Sequence, residues 1–115
     1  MLEKIWDNKE DVMDYRKFGN TYVVRLDPAE EILEQLEHFA RQEQVRLAAV
    51  QALGAVKEFT VGVFKTDEKK YYANHFSGSF EIVSLTGTID TMDCQFYTHL
   101  HMSAGDADGK VFGGH

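Results

Sequence analysis

The alternation of apolar and polar residues changes period along this chain, and each change marks a different kind of element. Thr21 to Leu26 is rich in β-branched and aromatic residues and stops at Asp27-Pro28, which predicts a strand running into a helix start. Asp27 then reads as the N-cap and Pro28 as the first helical residue. Glu30 adds an acidic first turn that suits the helix dipole. Ile32, Leu33, Leu36, Phe39 and Ala40 follow the i, i+3, i+4 spacing of one buried face, with Glu37 and Arg41 paired outside it. The spacing predicts a helix over 28–43.

Beyond it, Val45 to Leu53 is an apolar run ending at Gly54, and Glu58 to Phe64 alternates with Phe59, Val61 and Val63 on one face. Both read as strands. Lys65 to Lys70 is a charged hairpin connection, and Tyr71-Tyr72 opens another extended piece. Phe80 to Leu85, Gly87 and Ile89 give a further strand with a kink or bulge at the glycine, and Gln95 to Met102 completes the set. The first twenty residues, with isolated Ile5, Trp6, Val12 and Phe18, carry no clear period. One helix amid about six strands with tight connections means an α+β fold, a compact mixed or antiparallel sheet packed on one main helix. At 115 residues the expected organisation is a single domain over 1–115.

Composition narrows the partners. The chain is 43% hydrophobic and 27% charged with one proline, which suits a folded globular domain. A net charge of −7 and basic residues scattered apart from Lys69-Lys70 disfavour an extended phosphate-binding surface. Cys94 has no second cysteine to pair with, and no apolar run approaches the length of a membrane span or follows a charged N-terminus. The expectation is a cytoplasmic protein with its thiol reduced and no membrane partner. Cys94 has no evident base beside it and reads as a small hydrophobe near a strand start.

The candidate chemistry lies in Tyr97 to His115. On a strand, residues i and i+2 share a face, so His99 and His101 turn two imidazoles to one side while Leu100 goes to the other. The Asp106-Ala107-Asp108-Gly109 turn folds the chain back and brings His115 beside the pair, and Gly113-Gly114 permits close backbone approach. Three neutral imidazoles suit zinc or another borderline divalent metal and leave a fourth position for water or a ligand. A His-x-His pair alone is more often the mark of a partly exposed strand, and Gly-Gly-His at hairpin distance brings the metal reading level with it. His38 reads as a surface helix residue, and His75 as a solvated histidine in a polar loop. Asp106, Asp108 and Gly109 lack the further oxygen ligands of a calcium loop, and no phosphate-binding glycine signature occurs. Glu81 interrupts the apolar Phe80 to Leu85 strand, so it either faces solvent by alternation or is a polar group held at a site.

Tyr22 to Asp27, Leu53-Gly54-Ala55-Val56, Phe80 through Ile89, and His99-Leu100-His101 followed by Gly113-Gly114-His115 together resemble the plants-and-prokaryotes-conserved (PPC) domain in its prokaryotic single-domain form. The resemblance covers nearly the whole chain from about residue 15. It implies a compact fold similar to acetolactate decarboxylase, assembly as a homotrimer, and His99, His101 and His115 as zinc ligands. Family members continue with another strand or two beyond the position of His115, so the resemblance implies that following chain completes the sheet. Two function classes come with it. One is a metal-dependent enzyme or small-ligand binder, in which Glu81 serves as acid or base; the other is DNA binding or transcriptional regulation, carried by analogy and opposed by the acidic charge. A third reading, an interaction module whose zinc is structural, fits three ligands with an open position less well.

Overall fold

A computed structural model describes residues 13–115, so Ile5, Trp6 and Val12 lie outside the described residues. The chain forms two compact units, one ending at Gln44 and the other running from Val45 to His115.

In the first unit, β1 (Asp14–Phe18) and β2 (Thr21–Arg25) make an antiparallel hairpin, pairing Tyr15 with Val24 and Lys17 with Tyr22. β1 comes from the stretch without a clear period. The following helix, α1 (Ile32–Glu43), starts four residues later than its apolar spacing predicts. Asp27 is not its N-cap. Instead Pro28 fixes the first corner of a turn and Ala29 takes φ 75°, with the Glu30 N–H bonded to the Asp27 carbonyl at 3.2 Å. That left-handed residue ends any helical continuity at once. Glu31 caps the helix, its carboxylate accepting from the Glu34 N–H at 2.7 Å. Gln44, at φ 56°, closes the other end with its N–H on the Ala40 and Arg41 carbonyls.

Phe39 and Ala40 form the buried part of the helical face, whereas Leu33 is half exposed. Tyr15 and Tyr22 set their ring edges against Phe39, with centroids 5.0 and 4.9 Å away. Their hydroxyls donate to the two oxygens of Glu43, at 2.7 Å from Tyr15 and 3.1 Å from Tyr22. Burial first, then the hydrogen bond and charge of Glu43, push the Tyr15 phenol from 10.0 up to about 12. Because the folded value is raised, the neutral phenol contributes stability that is complete below about pH 10 and lost as pH climbs toward 12. Tyr15→Phe is therefore expected to cost about 1 kcal/mol at neutral pH. In urea titrations the gap between variant and parent should close through that alkaline window. A gap that stays constant with pH overturns the assignment.

The second unit is a four-stranded antiparallel sheet in sequential order: β3 (Ala48–Lys65), β4 (Lys70–Met92), β5 (Gln95–Gly105) and β6 (Val111–Gly114). The runs 45–53 and 58–64, expected as two strands, are one. Register shifts between Ala52 and Gly54 and between Val56 and Glu58 absorb the break without ending the ladder. Tyr71 through Ile89 likewise belongs to one strand. Its bulge lies between Ile82 and Ser84 and not at Gly87, which pairs regularly with Val50 and Leu100. Among the described residues every strand pair is antiparallel, so the sheet is not mixed. Cys94 sits in the two-residue turn between β4 and β5 with φ 63°, beside Asp93 at φ 54° and directly before the start of β5 at Gln95 as expected, but it is exposed and not packed as a small hydrophobe. A two-residue hairpin turn of this twist needs both central residues at positive φ, which places Cys94 at the tip.

Val61, Phe80, Leu85, Ile89 and Ala104 are the buried apolar residues of this unit. Phe59, Phe76 and Phe112 stack in sequence at 5.1 and 4.7 Å, and Phe80 meets Phe59 edge-on at 5.0 Å. The sheet also closes on itself. Gly62 and His115 exchange two backbone hydrogen bonds, of 2.9 and 2.8 Å, which bring the end of β6 onto β3. Alternation then assigns the faces: Leu85 and Ile89 turn inward, so Thr86 and Thr88 turn outward.

Candidate metal centre

Thr86 and Thr88 pair across β4–β5 with His101 and His99, and directly paired residues share a face. The two imidazoles therefore stand on the outer surface, with Leu100 between them on the other side. β6 pairs Met102 with Gly114, so the next residue, His115, falls in the row of His101. The turn that returns the chain is held by Asp106, whose carboxylate accepts from the Asp108 and Lys110 N–H groups at 2.9 Å each. Gly114 is required here by space: a Cβ would lie 2.5 Å from the Gly62 carbonyl oxygen and hold β6 away from β3.

The three imidazoles converge. Ring centroids are 5.0 Å apart for His99 and His101, 4.6 Å for His99 and His115, and 5.4 Å for His101 and His115. The Nε2 atoms of His99 and His101 lie 3.1 Å apart, and one ligand nitrogen from each of the three falls within 4.8 Å of the others. Two nitrogens bound tetrahedrally at 2.0–2.1 Å from a zinc ion are about 3.3 Å apart, so the first pair already has ligand spacing. All three residues are exposed, and a small adjustment of the side chains closes the remaining gap. The trio is suited to hold a metal ion.

Protonation supports the same use. Partial burial and then the charges of His99 and His101 lower the His115 pKa below the ordinary 6.5. The shift favours the neutral imidazole at His115, which is the form that ligates.

Glu81 does not join this group within one chain. It is exposed, pairs with Ala55 and Gly105, and lies five residues along β4 from Thr86, roughly 16 Å at strand rise. His38 is exposed on α1, as expected of a surface residue. His75 is not in a loop: it is mid-strand on β4, opposite Thr60, with Nδ1 2.9 Å from the Thr60 hydroxyl and Nε2 3.5 Å from Glu58. Thr86, Thr88, Gly62 and Tyr71 border the trio and escaped the sequence reading. Their only signal was alternation in Thr86-Gly87-Thr88; the other two reach the site through closure of the sheet.

Among the described residues no helix is long and apolar enough to cross a membrane. The chain is similar to the bifunctional protein GlmU of Synechococcus sp. strain JA-3-3Ab, 33% identical over 95 residues that cover 82% of this chain and 14% of that protein. It thus spans about one seventh of the length of the curated relatives it matches. A solved structure of a candidate DNA-binding protein from Bacteroides thetaiotaomicron superposes with TM-score 0.87 at 32% identity, covering 91% of this chain and 73% of that one. A plant- and prokaryote-conserved protein from Pyrococcus horikoshii gives 0.72 at 29%, over 90% and 65% of the two chains. A metal-containing protein from Archaeoglobus fulgidus gives 0.77 at 28%, over 91% and 74%. The model of the Plants and Prokaryotes Conserved (PCC) domain matches residues 13–115, spanning both compact units and ending on the third histidine. Matched over residues 13–115, this chain belongs to the PCC domain family.

Proposed function

We propose that this domain holds one divalent transition metal, zinc foremost, through His99, His101 and His115, and uses the open coordination position to bind a small ligand or substrate. The observation that carries the reading is the convergence of three imidazole nitrogens within 4.8 Å on the outer face of a closed sheet. Such an ion, when bound, supplies Lewis acidity for a carbonyl oxygen or an acidified water. Exposure favours this over a purely structural metal, whose four protein ligands leave no vacancy. The metal-containing relative from Archaeoglobus fulgidus supports the assignment. Elemental analysis of protein purified without a metal-affinity tag should return about one equivalent per chain, and a metal-free product that also fails to take up zinc overturns it.

The domain is further proposed to work as a cytoplasmic homotrimer. Leu53, Val83 and Val111 are more than half exposed, which is consistent with a surface covered in an assembly. Glu81 acts on the metal as acid or base only if a neighbouring copy carries it there, given its distance along β4.

A second reading, DNA binding, is favoured by the name of the relative from Bacteroides thetaiotaomicron. Net charge opposes it: at −7 the chain offers few clustered cations for counterion release. The isolated domain is expected to bind duplex DNA no more tightly than about micromolar at physiological salt. Sub-micromolar binding with a steep salt slope would establish the regulator reading.

A further inference from the structure

His99 and His101 sit inside β5, paired on β4, whereas His115 follows the last residue of β6 and depends on support from elsewhere. That support is specific. Its backbone oxygen accepts from the Gly62 N–H at 2.9 Å and from the Tyr71 hydroxyl at 2.6 Å, and its N–H donates to the Gly62 carbonyl at 2.8 Å. Tyr71 also sets its ring against the His115 imidazole, 5.9 Å between centroids at 69°. One side chain therefore fixes both the backbone and the ring of the third histidine. Tyr72, the next residue, makes a similar hydroxyl bond but to Glu68 within its own hairpin.

We propose that Tyr71 is the positioning residue of the histidine centre, reaching from the β3–β4 hairpin to set where the third imidazole stands. The proposal rests on reading the trio as a metal centre, yet its effect on His115 is measurable without an ion. A residue that orients a ligand from outside the coordination sphere typically changes metal affinity 10–100-fold. Tyr71 is such a residue acting through the ligand's backbone and ring edge, and it lies forty-four positions away in sequence.

The test compares the full chain with Tyr71→Phe, which keeps the ring, Tyr71→Leu, which keeps neither feature, and Tyr72→Phe as the neighbouring control. Zinc dissociation constants come from competition with a chromophoric chelator, and amide exchange at His115 is followed in the metal-free protein. Tyr71→Phe should weaken zinc about 10-fold and speed His115 exchange by a similar factor. Tyr71→Leu should do more, Tyr72→Phe should match the parent, and thermal midpoints should stay together. Equal zinc affinity in Tyr71→Phe and parent overturns the proposal, as does an equal loss in Tyr72→Phe, which would mark general loosening of the hairpin. If the parent takes up no zinc, the metal reading fails, and His115 exchange alone decides: acceleration confined to the Tyr71 variants upholds the positioning role, and its absence ends it.

Discussion

Alanine in place of His101 is expected to strip the domain of its metal. His101 supplies one of the two nitrogens already at ligand spacing, 3.1 Å from that of His99, and its ring lies 5.4 Å from His115. Without it two imidazoles remain, short of the three protein ligands an open zinc site needs. Affinity should fall on the order of 100-fold or more, beyond what loss of an outer support causes. Thermal unfolding gives an independent readout. A ligand at a hundred times its dissociation constant stabilises the folded state by about 2.7 kcal/mol, so added zinc should raise the parental midpoint and leave the variant nearly unmoved. His38→Ala, on the exposed face of α1, should behave as the parent. Unchanged metal content in His101→Ala would remove the assignment, whatever the geometry of the rings.

The legible parts of this fold are those where one local rule acts without competition. β2 is β-branched and bounded by Asp27-Pro28, the Lys65 to Lys70 connection is charged, and the Asp106 to Gly109 turn is held by its own aspartate. Each emerged where expected. The i, i+2 rule brings His99 and His101 to one face and the turn brings His115 beside them, so the trio is legible in the sequence. Where two local signals compete, the reading failed. Asp27-Pro28 satisfies helix-start chemistry, but Pro28 serves equally at a turn corner, and Ala29 at φ 75° shows that the turn prevailed. Gly54 reads as a strand end, yet long strands accept register shifts, so two predicted strands are one. The contacts of Tyr71 and Gly62 with His115 follow from closure of the sheet between residues distant in sequence, and no periodicity records them.

Gly87→Ala should produce a large loss of stability for a single added methyl group. Gly87 is in the middle of β4, paired with Val50 on one side and Leu100 on the other. A Cβ built there lands on the backbone carbonyl oxygen of His99, with the Leu100 Cα and Cδ2 each 2.8 Å away. A flexible side-chain end could retreat, but the carbonyl and Cα belong to the ladder between β4 and β5. Relief therefore requires the strands to part. Overpacking of a core typically costs 1–3 kcal/mol, and a clash with fixed backbone belongs at or above the upper end, about 3 kcal/mol or more. Ser84→Ala, on an exposed position of the same strand, should stay within about 0.5 kcal/mol of the parent. Urea unfolding of the three proteins measures both differences, and a Gly87→Ala loss below about 1 kcal/mol would show that the strands separate cheaply. The displaced group is the carbonyl of His99, so the first ligand moves with it. Zinc uptake by whatever fraction of Gly87→Ala remains folded should fall as well, tying the spacing of the imidazoles to a position in β4 where a side chain meets the backbone of β5.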